Sequence, residues 1–465
     1  MITNQALLVI PNKKFPLNRL AVSIAFLVMQ VFSASQAFAS PENTLYENEI
    51  ITALEHNTIK SEAEQTRETH NHQLPISMKQ PASPNTSELL NQVEWSPGNG
   101  MSFGSKNGNY LTNIRFRLQS RFSTPFDSDP RTIEGFDAQN STSFNLRRAR
   151  IKVGGHGYKP WIGYYFEYDW TSSSLLDWRI SLGKYEWFKV RIGQWKINYN
   201  RERVDSSGKQ QFVERSIVNR EFTVDRQKGV MAYGRLFSGT LTDLSYYAGA
   251  FTGTGRGTQL NDDTDLMYMG RLQWNFLGRE LKFSQSDVEF HEKPSGSLAF
   301  GYATVNNNCT RFSSEGCGNL DGFISSNDTE AGQFRINQMV EEFAFKWRGY
   351  SIQHEFHWKQ IKDSVEGLQT NLRGSYTQAG FFPHSLINEI PKQLELAGRY
   401  AFVDPNTSVK HVGIDKREEV SAAINWFFSG HNNKVTLGIS HLTIAELHAK
   451  NRNDERVQLQ WDISF

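Results

Sequence analysis

The chain has 465 residues, of which 38% are hydrophobic and 13% aromatic, and its 50 Lys and Arg nearly balance 49 Asp and Glu. A helical membrane protein is excluded, because each helical crossing needs about 20 mostly apolar residues and only one N-terminal stretch approaches that length. General disorder is disfavoured, because the aromatic residues are frequent enough to form a buried interior. The near-zero net charge gives no indication of a polyanionic partner, so nucleic-acid binding is not predicted.

Residues 1–39 have the features of a secretory signal peptide. Three cations precede an apolar run over 20–32, and Ala37–Ala39 has the small-x-small pattern of a signal-peptidase site. The apolar run is short for a membrane span, which disfavours the alternative of a retained anchor. We therefore predict Sec-dependent export, cleavage near Ala39 and a mature chain that starts at Ser40.

Residues 40–100 differ in composition from the rest of the chain. Nine Glu against Lys60, Arg67 and Lys79 give a balance of −6, and the second half contains four Pro. This composition predicts a periplasmic extension or linker with little core of its own. His70 and His72 lie in this segment, but two histidines in a flexible tail do not predict a metal site.

From Met101 onward the sequence alternates between apolar and polar residues, as in half-buried strands. The first strand, for example, places Ile114, Phe116 and Leu118 on one face and Arg115 and Arg117 on the other. About sixteen strands follow this pattern, each near the length of about 10 residues that crosses a bilayer at a tilt. They span 110–122, 143–154, 161–170, 176–185, 187–195, 228–237, 241–251, 266–276, 296–304, 338–348, 350–361, 370–380, 393–403, 417–428, 433–443 and 457–465.

The connections between these strands distinguish a membrane barrel from a soluble sandwich. If the first strand runs outward, one end has mostly tight turns, with exceptions at 277–295 and 381–392. The other end has most of the long loops, at 123–142, 196–227, 252–265, 305–337 and 404–416. Short periplasmic turns, long outer loops and an even strand number are typical of outer-membrane barrels. We therefore predict an all-β, transmembrane antiparallel β-barrel over 101–465, in contact with outer-membrane lipid.

Aromatic residues near the predicted strand ends agree with a barrel, because amphipathic rings prefer the membrane interface. They are Trp161, Trp178, Trp187, Trp195, Trp347, Trp358, Trp426, Phe427 and Phe428. The terminal Phe465 is similar to the C-terminal signal of outer-membrane proteins. It predicts recognition by the barrel-assembly machinery.

The inward faces of the first two strands are cationic. A barrel of about sixteen strands is too wide for side chains to fill, so a water channel is predicted. Its wall would carry Arg115, Arg117, Arg121, Arg148, Arg150 and Lys152, and the third strand would add Glu167 and Asp169. One interpretation is an ordinary polar lining. The other is a cationic track that passes an anion from one cation to the next.

The connection over 196–227 is long and has mixed charges. Its cations include Lys196, Arg201, Arg203, Lys209, Arg215 and Arg220, and it also contains five acidic residues. Folded inward, this loop would narrow the lumen and set its selectivity. Folded outward, it would be a solvated surface loop, and the residues alone favour neither arrangement.

Cys309 and Cys317 are close together in a polar Gly/Asn/Ser stretch. In an exported protein this spacing predicts a loop disulfide. Two free thiols are the alternative.

Several motifs, in this order, resemble the phosphate-selective porin O and P family. They are Leu146-Arg147-Arg148-Ala149-Arg150, Glu167-Tyr168-Asp169-Trp170, Gly193-Gln194-Trp195-Lys196, Val213-Glu214-Arg215-Ser216 and the segment 374–382. The resemblance covers the chain from about Asn109 to Phe465.

The resemblance implies a homotrimeric, sixteen-stranded channel that passes phosphate or other small inorganic anions by diffusion. It also implies an internal arginine ladder and a constriction formed by an inward-folding third outer loop. By position, Arg147, Arg148 and Arg150 match the family's Arg-rich strand, Lys196 its Gly-Gln-aromatic-Lys element and Arg215 its Glu-Arg-Ser element. Strand parity nevertheless turns Arg147 away from the other two, unless a bulge re-aims it. No cofactor is implied.

Two other classes of function are alternatives to a porin. An enzyme would need a nucleophile with a base or a metal site. The chain has no His-Glu-x-x-His motif, and no catalytic residue and no metal ligand are predicted. The remaining alternatives are a nonspecific porin, and a structural or adhesive barrel with a closed lumen.

Overall fold

The computed structural model describes residues 90–137, 141–257, 260–313, 316–407, 416–445 and 451–465. The predicted signal peptide and most of the predicted extension, with His70 and His72, lie outside these ranges. Among the described residues, no helix has both the length and the apolar character needed to cross a membrane.

Within the described ranges, twenty strands are present, and sixteen of them form one closed antiparallel barrel. The two strands before the barrel are β1 (Leu90–Ser96) and β2 (Gly100–Ser105). The barrel strands are β3 (Leu111–Thr124), β4 (Ser143–His156), β5 (Ile162–Asp169), β6 (Ser174–Tyr185), β7 (Phe188–Lys196), β8 (Arg226–Leu236), β9 (Leu244–Phe251), β10 (Met267–Trp274), β11 (Ser295–Asn307), β14 (Phe334–Trp347), β15 (Tyr350–Asp363), β16 (Gln369–Phe381), β17 (Leu394–Asp404), β18 (Arg417–Ser429), β19 (Asn433–Ile444) and β20 (Arg452–Ser464).

The barrel closes between its last and first strands. Each barrel strand pairs with its sequence neighbours, and β20 pairs with β3 from Val457 opposite Thr124 to Ser464 opposite Arg117. The predicted barrel of about sixteen strands is therefore confirmed. The alternation that predicted it is visible in β3, where Leu118 and Phe122 are exposed on the outside and Arg121 is buried inside.

The connections have the predicted asymmetry. One end of the barrel, here called the turn end, has short links such as 348–349 and 430–432. The opposite end, called the loop end, has long links at 125–142, 197–225, 252–266, 308–333 and 405–416. Of the two exceptions at the turn end, the segment 275–294 folds into the barrel, where Leu281, Phe283 and Gln285 are buried.

Short elements occur within these connections. The helices are α1 (Ile133–Asp137), α2 (Arg201–Val204) and α3 (Val218–Phe222), with a 3-10 turn at Pro383–Ser385. The strands β12 (Arg311–Ser313) and β13 (Gly316–Gly318) pair with each other in the 308–333 loop. A disulfide joins Cys309 to Cys317 in this loop, so the structure has the bonded arrangement and not two free thiols.

The β1–β2 hairpin is a feature that the sequence pattern did not predict. The composition predicts that residues 90–100 belong to the extension, whereas the structure begins the sheet at Leu90. The hairpin pairs with β3 through Met101 opposite Ile114 and Gly104 opposite Leu111. Gly100 has a φ of +80°, and a side chain there would collide with the Ile114 carbonyl oxygen, so a glycine is needed where β2 begins.

A buried apolar cluster lies inside the barrel and includes Trp195, Phe222, Phe251 and Tyr376. The prediction that Trp195 lies at the membrane interface is wrong, because its ring is buried against Phe251 with centroids 5.6 Å apart. The same holds for Phe427, which is buried and packs on Phe382. Part of the lumen is therefore filled by side chains and not by water.

Candidate functional site

The loop between β7 and β8, residues 197–225, folds into the barrel, and we call it the constriction loop. Nearly all of its side chains are buried, including Tyr199, Arg201, Phe212 and Phe222. The inward orientation that the family resemblance implied is therefore confirmed, and the alternative of a solvated surface loop is wrong.

Carboxylates on the far wall hold the constriction loop. Glu342 of β14 accepts a hydrogen bond from the Arg201 backbone N–H at 2.9 Å. Glu355 of β15 accepts from Asn200 Nδ2 at 3.0 Å and from the Glu202 backbone N–H at 2.5 Å. Buried N–H groups need such acceptors, so these bonds fix the path of the loop.

A third wall carboxylate, Glu419 of β18, accepts from the Ile217 backbone N–H at 3.1 Å. The sequence contains no signal that singles out these acids, because a lone Glu in an alternating strand is ordinary for a polar lumen face. They were missed for that reason.

Glycines on the inner wall make room for the constriction loop. A Cβ at Gly374 of β16 would lie 2.6 Å from the Phe222 ring, and one at Gly301 of β11 would lie 2.8 Å from the Tyr199 carbonyl oxygen. Any larger residue at these positions would push the loop away from the wall. The wall and the loop are therefore complementary in shape as well as in charge.

The predicted cations of β3 point inward as expected, but they have acidic partners. Arg117 donates from Nε to Asp462 Oδ1 at 3.2 Å and from Nη1 to Ser207 Oγ at 2.8 Å. Arg121 lies 2.7 Å from Glu214 of the constriction loop. Arg115 is partly buried near the turn end of the same strand. Arg117 and Arg121 therefore lie on the inner wall as members of ion pairs.

The β4 cations are paired in the same way. Arg150 lies 2.7 Å from both Glu167 and Asp169 of β5, the two acids that the sequence suggested as neutralising groups. Lys152 is buried and stands opposite Glu167 in the β4–β5 register. Arg148 donates to Gln119 Oε1 of β3.

Three guanidinium groups converge on Glu214, which lies 2.7 Å from Arg121, 3.3 Å from Arg147 and 3.9 Å from Arg148. Asp127 adds a second carboxylate, 3.4 Å from Arg121. We call these five residues the Glu214 cluster, and its formal charge is three cations minus two anions. The Glu214 side chain is 20% exposed, so part of the cluster is accessible to solvent.

A β-bulge brings Arg147 into this cluster. Gln119 stands opposite Arg148 and Ser120 stands opposite Leu146, so Arg147 is the extra residue of β4. Bulges re-aim side chains in this way. Strand parity alone would turn Arg147 outward. The bulge is the exception to parity that the sequence analysis named.

Three of the six predicted cations of the constriction loop stabilise the loop itself. Lys196 Nζ donates to the Asp205 carbonyl oxygen at 3.3 Å, and Arg215 donates to the Glu202 and Asp205 carbonyl oxygens at 2.8 and 2.7 Å. Arg203 pairs with Asp225.

The other three cations differ in their surroundings. Arg201 donates to the carbonyl oxygens of Lys282 and Leu281 in the 275–294 segment. Arg220 lies 3.9 Å from Glu221 and is partly exposed. Lys209 is partly buried, and within the described ranges its ammonium has no hydrogen bond and no ion pair. Of the six, Lys209 and Arg220 are therefore the best placed to meet a solute.

Two acids of the constriction loop have raised pKa values. Burial raises the pKa of Asp205 to about 7, against the opposing charges of Arg215, Lys209, Lys346 and Lys196. Both Asp205 carboxylate oxygens are buried and have no hydrogen-bond partner among the described residues.

Burial also raises the pKa of Glu202 to about 7, although Arg399 opposes the shift. Asp225 shows the opposite balance, because Arg203 and Arg226 outweigh its burial and hold its pKa at about 2. The charge of the constriction loop therefore changes near neutral pH at Asp205 and Glu202 but not at Asp225.

Two lysines that the sequence did not single out also point into the lumen. Lys346 of β14 donates to Ser284 Oγ at 2.6 Å, and Lys434 of β19 donates to the Gln210 carbonyl oxygen. They tie the 275–294 segment and the constriction loop to the wall. Within the described ranges, no group of three or more His, Cys, Asp or Glu side chains is arranged to hold a metal ion.

A closed barrel with an apolar outer face, a charged interior and an inward-folded loop defines the class of transmembrane β-barrel channels. The family model described as "Phosphate-selective porin O and P" matches residues 117–302, which confirms the resemblance to that family. No curated protein matches the chain. The family match and the barrel support an outer-membrane channel for small solutes.

The chain is also similar to solved outer-membrane proteins. OmpT of Vibrio cholerae is 8% identical, with 77% of this chain and 98% of that chain covered and a TM-score of 0.47. An anion-selective porin from Comamonas acidovorans is 10% identical, with 76% and 99% covered and a TM-score of 0.45. The channel DcaP of Acinetobacter baumannii is 12% identical, with 79% and 100% covered and a TM-score of 0.47.

Proposed function

We propose that the protein is a passive, water-filled porin of the outer membrane that prefers small anions, including phosphate. The observation that carries this proposal is the Glu214 cluster, in which three guanidinium groups meet two carboxylates beside the constriction loop. An anion that reaches the cluster can accept charge-assisted hydrogen bonds from guanidinium groups already held in place. Glu214 competes for the same donors, so each contact is weak enough to release the ion.

Planar bilayer recordings test this proposal. Purified protein should give stable conductance steps and a reversal potential of the anion-selective sign in a potassium chloride gradient. Cation selectivity would overturn the proposal. Low millimolar phosphate should partly block the chloride current, and the absence of any block would indicate a general anion channel or a nonspecific porin.

Replacing Arg148 with alanine should lower the anion preference, because it removes one of three cations from the Glu214 cluster and leaves both carboxylates. The reversal potential should shift toward zero. Arg373→Ala is the matched control, since Arg373 is exposed on the outer wall beside Asp404 and its loss removes the same charge away from the lumen. Equal reversal potentials for the two variants would mean that Arg148 only lines the wall.

A closed lumen is the alternative with a specific observation in its favour. The 275–294 segment meets the constriction loop inside the barrel, where the Gln211 backbone N–H donates to Gln285 Oε1 at 2.7 Å. Gln285 Nε2 donates in turn to Gln210 Oε1 at 2.8 Å. A structural barrel closed by these contacts would show no conductance steps in the same recordings.

We also propose the export and assembly steps that the sequence predicts. These are signal-peptide cleavage near Ala39, recognition of Phe465 by the barrel-assembly machinery, insertion among outer-membrane lipids and assembly as a homotrimer. Phe465 forms two backbone hydrogen bonds with Phe116, so the last residue lies at the barrel seam. No enzymatic activity and no cofactor are proposed.

A further inference from the structure

The β1–β2 hairpin occupies a step in the barrel wall. On one edge, β3 pairs with β20 from Arg117 to Thr124, and β20 ends there. The rest of that edge, Leu111–Ile114, is paired by β2. The hairpin therefore continues the wall below the end of β20 and is part of the sheet, although it precedes the barrel in sequence.

The outward face of the hairpin is apolar. Val93 stands opposite Phe103 and Trp95 stands opposite Met101. Val93 and Trp95 are 62% and 64% exposed. Glu94 alternates with them and stands opposite Ser102 on the other face. The hairpin is therefore amphipathic, with its apolar side uncovered.

This apolar face is continuous with the outer wall of the barrel. The register places Trp95 opposite Met101, Met101 opposite Ile114, Ile114 opposite Val153 and Val153 opposite Phe166. In β3 and β5, Ile114 and Phe166 lie on the outward face of a membrane-spanning wall. Side chains that stand opposite one another in consecutive strands share one face of the sheet, so Trp95 extends the same surface.

The hairpin lies at the turn end of the barrel, where a membrane interface is expected. A Cβ at Gly98, in the turn between β1 and β2, would touch the Asn432 side chain in the 430–432 turn. Other aromatic residues at this end, such as Trp161 and Trp187, are also exposed on the outside. Tryptophan favours the boundary between headgroups and acyl chains, so Trp95 has the residue type and the position for that layer.

We propose that the outward face of the β1–β2 hairpin is a membrane-interface anchor, which inserts Val93, Trp95 and Met101 into the headgroup boundary of the periplasmic leaflet. Its partner is phospholipid. The continuity with the outer wall favours lipid over a protein partner, because Ile114 and Phe166 in the same row need an apolar solvent. The anchor holds the seam of the barrel at a fixed depth and does not depend on what passes through the lumen.

Site-directed fluorescence on the full chain tests this anchor. Val93→Cys and Glu94→Cys are matched variants, since they are adjacent in sequence and point to opposite faces. The two native cysteines are joined in the Cys309–Cys317 disulfide. Each variant is labelled with bimane and reconstituted in phosphatidylethanolamine and phosphatidylglycerol vesicles. Heat-modifiable migration on a gel confirms that each labelled barrel is folded.

The expected result is that a lipid carrying a shallow nitroxide quenches the label at position 93 severalfold more than the label at 94. Aqueous iodide should show the reverse order. Iodide quenching that is equal at both positions would overturn the proposal. Protection of position 93 from both quenchers, with cross-linking between Val93→Cys copies by a bis-maleimide, would also overturn it and identify a second copy as the partner.

Discussion

Replacing Glu355 with alanine is expected to detach part of the constriction loop from the far wall and to raise the single-channel conductance severalfold. Glu355 accepts hydrogen bonds from the Asn200 side chain and the Glu202 backbone. Each buried donor left without an acceptor costs about 1–3 kcal/mol, so this stretch of the loop would find other conformations. The wider lumen should also lose much of its anion preference, because solutes would pass farther from the Glu214 cluster.

Single-channel recordings in potassium chloride, with a reversal potential in a salt gradient, measure both effects. Glu366→Ala is the control, since Glu366 lies in an exposed link at the loop end, away from the constriction loop. That variant should behave like the unmodified protein. A Glu355→Ala channel with normal conductance and normal current noise would contradict the prediction and would mean that Glu342 and Glu419 suffice to hold the loop.

Lowering the pH from 8 to 6 is expected to increase the preference for chloride over potassium. Burial raises the pKa of Asp205 to about 7, so this carboxyl group loses its negative charge across that range. The neighbouring Lys209, Lys196 and Arg215 then act on the lumen without a buried counter-charge. Coulomb interactions are strong over short distances in a poorly solvated interior, so one charge there has a measurable effect.

Asp205→Asn should give the channel, at every pH, a selectivity near that of the unmodified protein at pH 6, and so remove a substantial part of the pH dependence. The remaining pH dependence is due to Glu202, whose pKa is about 7. Asp127→Asn is the matched control, because Arg121 and Arg147 outweigh burial and keep the pKa of Asp127 below its ordinary value. That variant should change selectivity at every pH and keep the pH dependence. An Asp205→Asn channel with the unmodified pH profile would contradict the assignment.

The raised pKa of Asp205 also makes the packing of the constriction loop depend on pH. A carboxyl group whose pKa in the folded protein exceeds its ordinary value of 3.8 favours the folded state in acid. For Asp205 this stabilisation is complete below about pH 3.8 and is lost as the pH rises through about 7. Current noise from loop motion should therefore be lower at pH 6 than at pH 8.

The strands were predictable from the sequence because each has two solvents, lipid outside and a polar lumen inside. In β3, for example, the apolar residues Ile114 and Phe116 alternate with the charged residues Arg115 and Arg117, as two different solvents require. The partners of the inward residues were not predictable. Arg117 pairs with Asp462, 345 positions away in the chain, and only the closure of the barrel brings the two together. The alternation of apolar and polar residues predicts which side of the sheet a residue lies on, but it does not predict which residue it contacts there.

The direction of the constriction loop was undecided from the residues for a similar reason. Its own charges are balanced, so they fit solvent and interior equally well. Glu342 and Glu355, which fix its path, lie on strands far along the chain and look like any polar wall residue. The hairpin was missed because Val93 and Trp95 alternate over too few residues beside Pro97 to stand out from the extension.

The division of one β3 edge between β20 and the hairpin also limits how the barrel can close. Phe465 bonds to Phe116, and Met101 already stands opposite Ile114. Because side chains change faces at every residue, a slipped register must move by two positions to keep lipid-facing groups outside. Such a slide of β20 would bring Phe465 onto the place of Met101. The β1–β2 hairpin therefore prevents β20 from slipping along β3 in this direction.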